Sequence, residues 1–349
     1  MATVDVTVMG AGIFGLSIAW ACVGRGALVR VIDPNGPGGG ASGGVVGALA
    51  PHTPERWEPK KEFQLESLLA AGRFWQDVDA ESKISSGYGR TGRLQPILDD
   101  HGMVLARERE IAARTLWRGL ADWKVVPLSD HQDWAPPSST GWLVYDSLAA
   151  RIDPFRACQS LATAVQKRGG SLAQDGDQTG KVVWATGVSG LEYLTRQVGR
   201  ETGNGVKGQA ALLALDAGHA PQLFSHGIHV IPHDNGTVGV GSTSERYYDD
   251  PTATDTQLDD LLAKARVIFP QLADAPIVKT WAGIRPRART RAPMLGEYPQ
   301  GSGHFIANGG FKIGFGMAPK IAEIMADLIL DGRDRIPDAF RVQANLQIR

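Results

Sequence analysis

Residues 4–33 read VDVTVMGAGIFGLSIAWACVGRGALVRVID, and this stretch decides the fold. Its valine-rich start, Val4 to Met9, predicts a buried strand, and the apolar run Leu16 to Cys22 after the glycine turn predicts a helix. A second predicted strand, Leu28 to Ile32, ends at Asp33. Strand, glycine turn, helix, strand and acid in this order predict a βαβ unit, the start of a parallel sheet covered by helices.

The three glycines of the turn have separate roles in a βαβ unit that binds a dinucleotide. Gly10 permits the tight turn, Gly12 lets a pyrophosphate approach the backbone, and Gly15 lets the helix pack on the sheet. The helix N-terminus presents free N–H groups to the phosphate, and Asp33 is placed to accept hydrogen bonds from a ribose 2′-OH. The pattern predicts a site for FAD or NAD; an ordinary βαβ unit with glycine turns is the alternative.

A second glycine-rich loop favours a flavin over a nicotinamide cofactor. Residues 38–52, GGGASGGVVGALAPH, directly follow the second strand and have small side chains almost throughout. A flavin ring needs such a loop because the ring lies flat against backbone. Ser42 is placed to bond a phosphate oxygen, and Gly47 and Ala48 are placed to line the ring. On composition alone, a flexible surface loop is the alternative.

Charge and composition exclude several classes of protein. The chain carries 36 Lys and Arg against 37 Asp and Glu, so no global basic field attracts nucleic acid. Cys22 and Cys158 lie in apolar stretches and are interpreted as packing residues in a reducing compartment. The apolar run Ile13 to Val23 is too short to span a bilayer. We expect a cytoplasmic protein with no metal site, nucleic-acid partner or transmembrane segment.

Residues 38–51, GGGASGGVVGALAP, resemble the flavin loop of the superfamily of D-amino-acid, glycine and sarcosine oxidases. Five further segments resemble the same superfamily in the same order, at residues 181–187, 206–209, 229–245, 281–296 and 308–319. The resemblance covers nearly the whole chain. It implies an α/β protein in which a Rossmann-type FAD-binding domain is interlocked with a mixed-sheet α+β substrate domain, as in glycine oxidase.

The resemblance also implies that both domains are discontinuous. We expect the FAD-binding domain to comprise residues 1–84, 142–195 and 281–349. We expect the substrate domain to comprise residues 85–141 and 196–280. These boundaries follow from the order of the matched segments along the chain.

Local signals predict several further elements. Asp153 and Pro154 are a plausible cap and first turn of a helix that runs to Lys167. The other predicted elements are a short polar connection at Ser171 to Lys181, a hairpin at His226 to Gly241, a helix at Lys320 to Leu330, and a linker or lid-side loop at Pro127 to Gly141.

Four regions of the superfamily contact FAD: the βαβ turn, the flavin loop, the turn after the strand at residues 182–185, and the glycine turn before the last helix. The N-terminus of that helix is expected to face the flavin edge that becomes negative on reduction. We expect FAD to be bound without a covalent bond, with His52 as the alternative attachment point. The implied FAD contacts are Gly10, Gly12, Ile13, Phe14, Gly15, Asp33, Ala41, Ser42, Gly47, Ala48, Leu49, Ala185, Thr186, Gly187, Gly310, Phe311, Lys312, Ile313 and Gly314.

Residues 281–286, WAGIRP, are similar to the WAGLRP pattern of the superfamily, whose arginine binds the substrate carboxylate. A guanidinium offers two parallel donors and stays charged at any relevant pH, so Arg285 is the predicted clamp. Lys312 matches the second cation of sarcosine oxidases, with a surface lysine as the alternative. His229 matches a substrate-site tyrosine of glycine oxidases, although strand alternation permits either face of its strand to point inward. Ser244 matches a residue beside flavin and substrate.

These residues predict an enzyme, an FAD-dependent amino acid or amine oxidase or dehydrogenase. Arg285 and Lys312 would hold a small amino acid or N-substituted glycine, and hydride transfer to flavin N5 would oxidise its C–N bond to an imine and then an oxo acid. Oxygen or another acceptor would take the electrons from the flavin. The alternatives are a 2-hydroxy-acid or tRNA-modification oxidoreductase of the same fold, and a non-catalytic nucleotide-binding module. The sequence leaves the oligomeric state open.

Overall fold

Two large sheets organise the computed structural model, which describes residues 4–299 and 301–346. The strands are β1 (Val6–Met9), β2 (Val29–Ile32), β3 (Ala48–Leu49), β4 (Arg93–Pro96), β5 (Trp123–Pro127), β6 (Trp142–Asp146), β7 (Ala150–Arg151), β8 (Ser171–Ala173), β9 (Lys181–Trp184), β10 (Gly203–Ala214), β11 (Gln222–Ser225), β12 (Ile228–Pro232), β13 (Thr237–Gly241), β14 (Ile277–Ala288), β15 (Met294–Glu297) and β16 (His304–Asn308). The helices are α1 (Ile13–Val23), α2 (Pro59–Ser82), α3 (Asp100–Leu116), α4 (Pro154–Lys167), α5 (Gly187–Val198), α6 (Thr256–Ile268), α7 (Gly314–Asp331) and α8 (Val342–Leu346).

The first sheet has the strand order β15-β16-β9-β1-β2-β8 and is parallel except for its edge strand β15. Strand β1 lies between β2 and β9, which explains why its valines are buried. Helix α1 is buried along nearly its whole length and packs on α4 and α7. The predicted βαβ unit is confirmed, and its glycine turn lies at the carboxyl end of β1.

The second sheet has the strand order β14-β10-β13-β12-β11-β4-β6-β5. Its neighbouring strands are antiparallel except for β11 and β4, so it is a mixed sheet. Helix α6 packs on β10 and β13, and together they enclose a separate apolar core that includes Phe269 and Leu272. Two sheets of different type confirm the predicted fold class.

Two of the predicted domain boundaries, at residues 142 and 281, divide the second sheet. The boundary at residue 142 assigns β6 to the FAD-binding domain, yet β6 pairs with β4 and β5 in the second sheet. The boundary at residue 281 cuts β14, which pairs with β10 along its length. We propose instead that the FAD-binding segments resume after β6 and after β14, because a division that follows the sheets breaks no strand.

Several predicted elements are confirmed. Helix α4 begins at Pro154, and the Asp153 side chain accepts a hydrogen bond from the Arg156 N–H at 3.1 Å. Strands β12 and β13 form the predicted hairpin, and the turn between them includes Asp234 and Asn235. Both cysteines are buried and free, as expected of packing residues.

Three predicted elements differ from the structure. The connection Ser171 to Lys181 contains strand β8, which pairs with β2. The sequence did not predict this strand because three residues are too few to show a periodicity. Helix α7 begins six residues before the predicted Lys320; Pro319 lies inside it, and burial against α1 and α2 stabilises that turn. Residues 128–141 are not a linker, because they connect β5 and β6 of one sheet, and Trp134 and Ser138 donate to the Pro221 and Ile97 carbonyls beside that sheet; the alternative of a lid-side loop stays a prediction.

Across the residues that the structure describes, we find no helix with the length and hydropathy needed to cross a bilayer. The same residues contain no cluster of potential metal ligands. The cytoplasmic location stays a prediction.

Candidate active site

A cavity of about 830 Å³ extends from the N-terminus of α1 to the second sheet. Its walls include all of the predicted FAD contacts except Gly15, together with Arg285 and His229. Gly15 lies instead under the turn, where an added Cβ would overlap the Gly10 carbonyl oxygen. Gly15 therefore serves the packing of α1 on β1, which is the role that the βαβ pattern assigns to it.

The end of the cavity at α1 is built by the opening βαβ unit. Asp33 ends β2, and its carboxylate accepts hydrogen bonds from the N–H groups of Ala11 at 2.7 Å and Asn35 at 2.9 Å. Ser42 accepts a hydrogen bond from the Ile13 N–H at 3.0 Å. Gly10 has a φ of +109°, where an L side chain is strained. The first turn of α1 thus faces the cavity with the positive end of its dipole.

The floor of the cavity is backbone with small side chains. Gly47 accepts a hydrogen bond from the Ile152 N–H at 3.0 Å, and a Cβ on Gly47 would overlap the Ile152 carbonyl oxygen. The N-terminus of α7 closes the opposite side with Gly314, Phe315 and Gly316. A flat ring fits between these two backbone surfaces, and a second helix dipole has its positive end there.

The far wall is a row of directly opposed residues across the second sheet. Trp281 on β14 pairs with Ala210, Ala210 with Gly241, Gly241 with His229, and His229 with Phe224. Directly opposed residues project to the same face of a sheet. This row has small residues in its middle and aromatic rings at both ends. It therefore forms a shallow groove in the far wall of the cavity.

Arg285 lies four residues along β14 from Trp281 and therefore on the same face of the sheet as this row. Its Nη2 donates to the Ser242 hydroxyl at 2.7 Å and its Nη1 to the Thr243 carbonyl at 3.2 Å. Removal from water lowers the pKa of Arg285 to about 10, and the negative charge of Glu245 opposes that shift. Arg285 is therefore charged at neutral pH, with part of its five N–H donors free for a ligand.

Lys312 follows the glycine turn before α7 and lines the same cavity. Burial, and then the charge of Arg285, lower the pKa of Lys312 below its ordinary value. Within residues 4–299 and 301–346, neither Arg285 nor Lys312 forms an ion pair with a carboxylate. Two cations that form no direct ion pair among the described residues, in one cavity, favour an anionic ligand.

Comparison with known proteins decides the family. The family model described as FAD dependent oxidoreductase matches residues 5–328. The chain belongs to this family. The expected superfamily, the use of FAD and the prediction of an enzyme are thereby confirmed, and the alternative of a non-catalytic module is not supported.

Individual relatives agree with this assignment. The chain is 28% identical to the glycine oxidase of Pseudomonas aeruginosa over 95% of this chain and 96% of that protein. It is 26% identical to the uncharacterized oxidoreductase YurR of Bacillus subtilis over 93% and 94% of the two chains. The crystal structure of glycine oxidase from Geobacillus kaustophilus has the same fold, with a TM-score of 0.83 at 20% identity and coverage of 97% and 98%.

The walls of the cavity fit FAD on steric grounds. A Cβ on Gly12 would stand 3.2 Å from the Ser42 hydroxyl and would take up space in front of α1 that glycine leaves open. We propose that Gly12 and Ser42 hold the pyrophosphate of FAD and that Asp33 holds its ribose. We propose further that residues 41–49 and 310–314 hold the isoalloxazine ring.

Of the predicted substrate residues His229 and Ser244, the first lines the cavity and the second does not. His229 faces the cavity, which answers the question that strand alternation left open. Ser244 is exposed and does not line the cavity, so its predicted role beside flavin and substrate is not supported. Ser242, two residues earlier, directly follows the end of β13, lines the cavity and accepts a hydrogen bond from Arg285, so we propose Ser242 for that role instead.

Three residues of this region, Ser242, Phe224 and Gly208, were not predicted from the sequence. The pairing of β10 with β13 and β14, and of β12 with β11 and β13, would have been the signal for them, because it places these residues beside Arg285 and His229. Pairing of this kind is not visible in the spacing of residues along the chain.

His52 does not line the cavity, and its ring Nδ1 is hydrogen-bonded to the Gln64 amide oxygen. Gln64 does line the cavity and separates the imidazole from it. This arrangement supports the proposal that FAD is bound without a covalent link to His52.

We expect His229 to make folding sensitive to acid. Burial lowers the pKa of His229 to about 3, and the charges of Arg93 and Lys312 act in the same direction. Below about pH 6.5 the unfolded chain binds a proton that the folded chain refuses, so stability falls as the pH falls from about 6.5 towards 3. His229→Phe should therefore show a smaller loss of Tm between pH 7 and pH 5 than the parent protein.

The control for this measurement is His219→Phe, which changes an exposed histidine. That variant should keep the pH dependence of the parent protein. An unchanged slope for His229→Phe would contradict the neutral state of His229.

Proposed function

We propose that the enzyme oxidises the C–N bond of a small amino acid or N-substituted glycine. The observation that carries this proposal is the pair Arg285 and Lys312, two cations without an ion-pair partner in the described residues, in a cavity that fits FAD. A carboxylate matches the fork of a guanidinium in geometry and charge. The glycine oxidase among the relatives supports an amino acid as the carboxylate ligand.

FAD, when bound, supplies a two-electron acceptor for a hydride from the substrate carbon. The residues of the chain bind and orient the substrate. Arg285 holds the carboxylate, and the Ser242 hydroxyl and Thr243 carbonyl fix the plane of the guanidinium. Orientation of this kind turns a bimolecular encounter into an intramolecular step.

The charges in the cavity also favour the reactive form of the amine. Arg285 and Lys312 disfavour an ammonium group between them, since a nearby cation lowers the pKa of another cation. Asp33 is the one carboxylate among the described wall residues, and it lies at the α1 end. The substrate amine is therefore held in its neutral state, from which a lone pair can assist hydride departure.

His229 contributes polarity rather than a proton at neutral pH. With a pKa of about 3 its imidazole is neutral, and its Nδ1 has no hydrogen-bond partner among the described residues. The ring lies 4.5 Å from the Phe224 ring, centroid to centroid. We assign to this pair the end of the groove that receives the substrate side chain or N-substituent.

The test is a panel of amino acids and N-substituted glycines mixed with the FAD-bound enzyme without oxygen. The expected result is bleaching of the oxidised FAD absorption by at least one of them. The matched controls are the 2-hydroxy acids with the same carbon skeletons, which offer Arg285 the same carboxylate. Bleaching by the hydroxy acids alone would replace C–N oxidation by the hydroxy-acid alternative.

A further inference from the structure

Residues 206–209, VKGQ, resemble the superfamily but have no role in the function described so far. They lie on β10 opposite β14, with Val206 paired to Arg285 and Gly208 paired to Gly283. Because side chains alternate along a strand, Gly208 faces the cavity with Ala210 while Lys207 and Gln209 face the other side. Residues on both faces of this short segment affect the position of the Arg285 guanidinium.

On the cavity face, Gly208 leaves the space that the Arg285 guanidinium occupies. A Cβ added at Gly208 would overlap Cζ, Nη1 and Nη2 of Arg285. The φ of Gly208 does not lie in the left-handed region, so the backbone conformation does not require glycine. The requirement is steric, and it concerns the position of the guanidinium.

On the opposite face, Lys207 and Gln209 are buried and form a polar cluster with the buried Glu245 and the exposed Asp255. Lys207 is 2% exposed, and its Nζ lies 3.2 Å from Asp255 Oδ2 and 3.7 Å from Glu245 Oε2. The Gln209 amide donates to Asp255 Oδ1 at 2.8 Å and to Glu245 Oε1 at 3.1 Å. A buried charge needs such partners, so this cluster has one favourable arrangement.

The cluster fixes the backbone that Arg285 bonds. The backbones of Lys207 and Glu245 exchange two hydrogen bonds of 2.9 Å. The Thr243 hydroxyl accepts a hydrogen bond from the Gln209 N–H at 2.7 Å and donates one to the Glu245 carboxylate. Thr243 is thereby held from both sides, and its carbonyl oxygen is presented to Nη1 of Arg285.

We propose that Lys207, Gly208 and Gln209 are positioning residues that set the orientation of the Arg285 guanidinium and so the affinity for the substrate carboxylate. Gly208 provides the space beneath the guanidinium. Lys207 and Gln209 act through Glu245 and Thr243. This inference rests on the proposed role of Arg285 as the carboxylate ligand.

The test compares FAD-bound variants by titration with acetate, followed by the change in the FAD absorption spectrum and by calorimetry. Gly208→Ala should weaken acetate binding about tenfold or more, a loss of about 1.4 kcal/mol, and raise KM more than it lowers kcat. The control Gly72→Ala adds the same methyl group at an exposed position of helix α2, with the nearest atom at 4.0 Å, and should bind acetate as the parent does.

A second pair of variants tests the opposite face. Thr243→Val keeps the shape of the side chain and removes the hydroxyl, so it should weaken acetate binding. Thr243→Ser restores the hydroxyl and should recover most of the affinity. If Gly208→Ala does not bind FAD, the Thr243 variants test the proposal alone. Equal affinities of Thr243→Val and Thr243→Ser for acetate would overturn it.

Arg285→Ala separates this proposal from the function on which it rests. If Arg285→Ala loses acetate binding while Gly208→Ala stays within about twofold of the parent, the positioning role is wrong and the proposed function stands. If Arg285→Ala binds acetate like the parent, the carboxylate role fails and the positioning role fails with it.

Discussion

Replacing Arg285 by alanine should weaken the binding of a carboxylate substrate by about a hundredfold to about twenty-thousandfold, while the protein keeps its FAD. Each hydrogen bond between charged partners contributes about 1.5 to 3 kcal/mol, and a guanidinium can make two to one carboxylate. The cofactor end of the cavity, at Asp33 and Ser42, is built by other elements and should be unaffected. The measurement is KM, or Kd for acetate, together with the FAD absorption of the purified variant.

Two further variants sharpen this prediction. Arg285→Lys keeps the charge but loses the planar fork, so it should recover only part of the affinity. Lys279→Ala removes an exposed cation from the same strand and should leave KM unchanged. A strong effect of Lys279→Ala would show that the long-range positive potential, rather than the fork of Arg285, attracts the substrate.

Gly12→Val should weaken FAD binding by about a hundredfold or more without unfolding the protein. The first added carbon would already stand 3.2 Å from the Ser42 hydroxyl, and the two methyl groups beyond it would occupy the space in front of α1. At least two charge-assisted hydrogen bonds between backbone and pyrophosphate would be lost, at about 1.5 to 3 kcal/mol each. The measurement is the Kd of added FAD for the apoprotein, with far-UV circular dichroism as the check on folding.

Gly72→Val is the matched control, because it places the same side chain on the exposed face of α2. This control should take up FAD like the parent. A Gly12→Val variant that purifies with a full complement of FAD would contradict the placement of the pyrophosphate at Gly12.

Much of the cofactor end follows from local sequence. The turn at Gly10 needs a positive φ, and the cap of α4 needs Asp153, so each of these signals lies within a few residues of its effect. The flavin loop shows in composition because a flat ring excludes side chains over a continuous stretch. For these reasons the sequence predicted which residues within 10–14 and 41–49 line the cavity.

The substrate end depended on the resemblance and on the tertiary structure. Arg285 matches a pattern, but its orientation depends on Gly208 and Thr243, which are 77 and 42 positions away in the chain. His229 faces the cavity because of the register in which β12 pairs with β13. Ser242, rather than Ser244, bonds Arg285 because it directly follows the last residue of β13. A one-residue change of register exchanges the faces of a strand, and spacing within one strand does not specify that register.

The sequence by itself therefore determined the βαβ unit and the glycine-rich loop at residues 38–52, and its resemblance to the superfamily led to the proposal of Arg285 as the carboxylate-binding cation. Backbone sterics act between near neighbours, so glycines and caps are readable along the chain. Only the tertiary structure decided which side chains meet Arg285, because the pairing of β10, β13 and β14 brings distant segments together through burial and hydrogen bonds that no single segment contains.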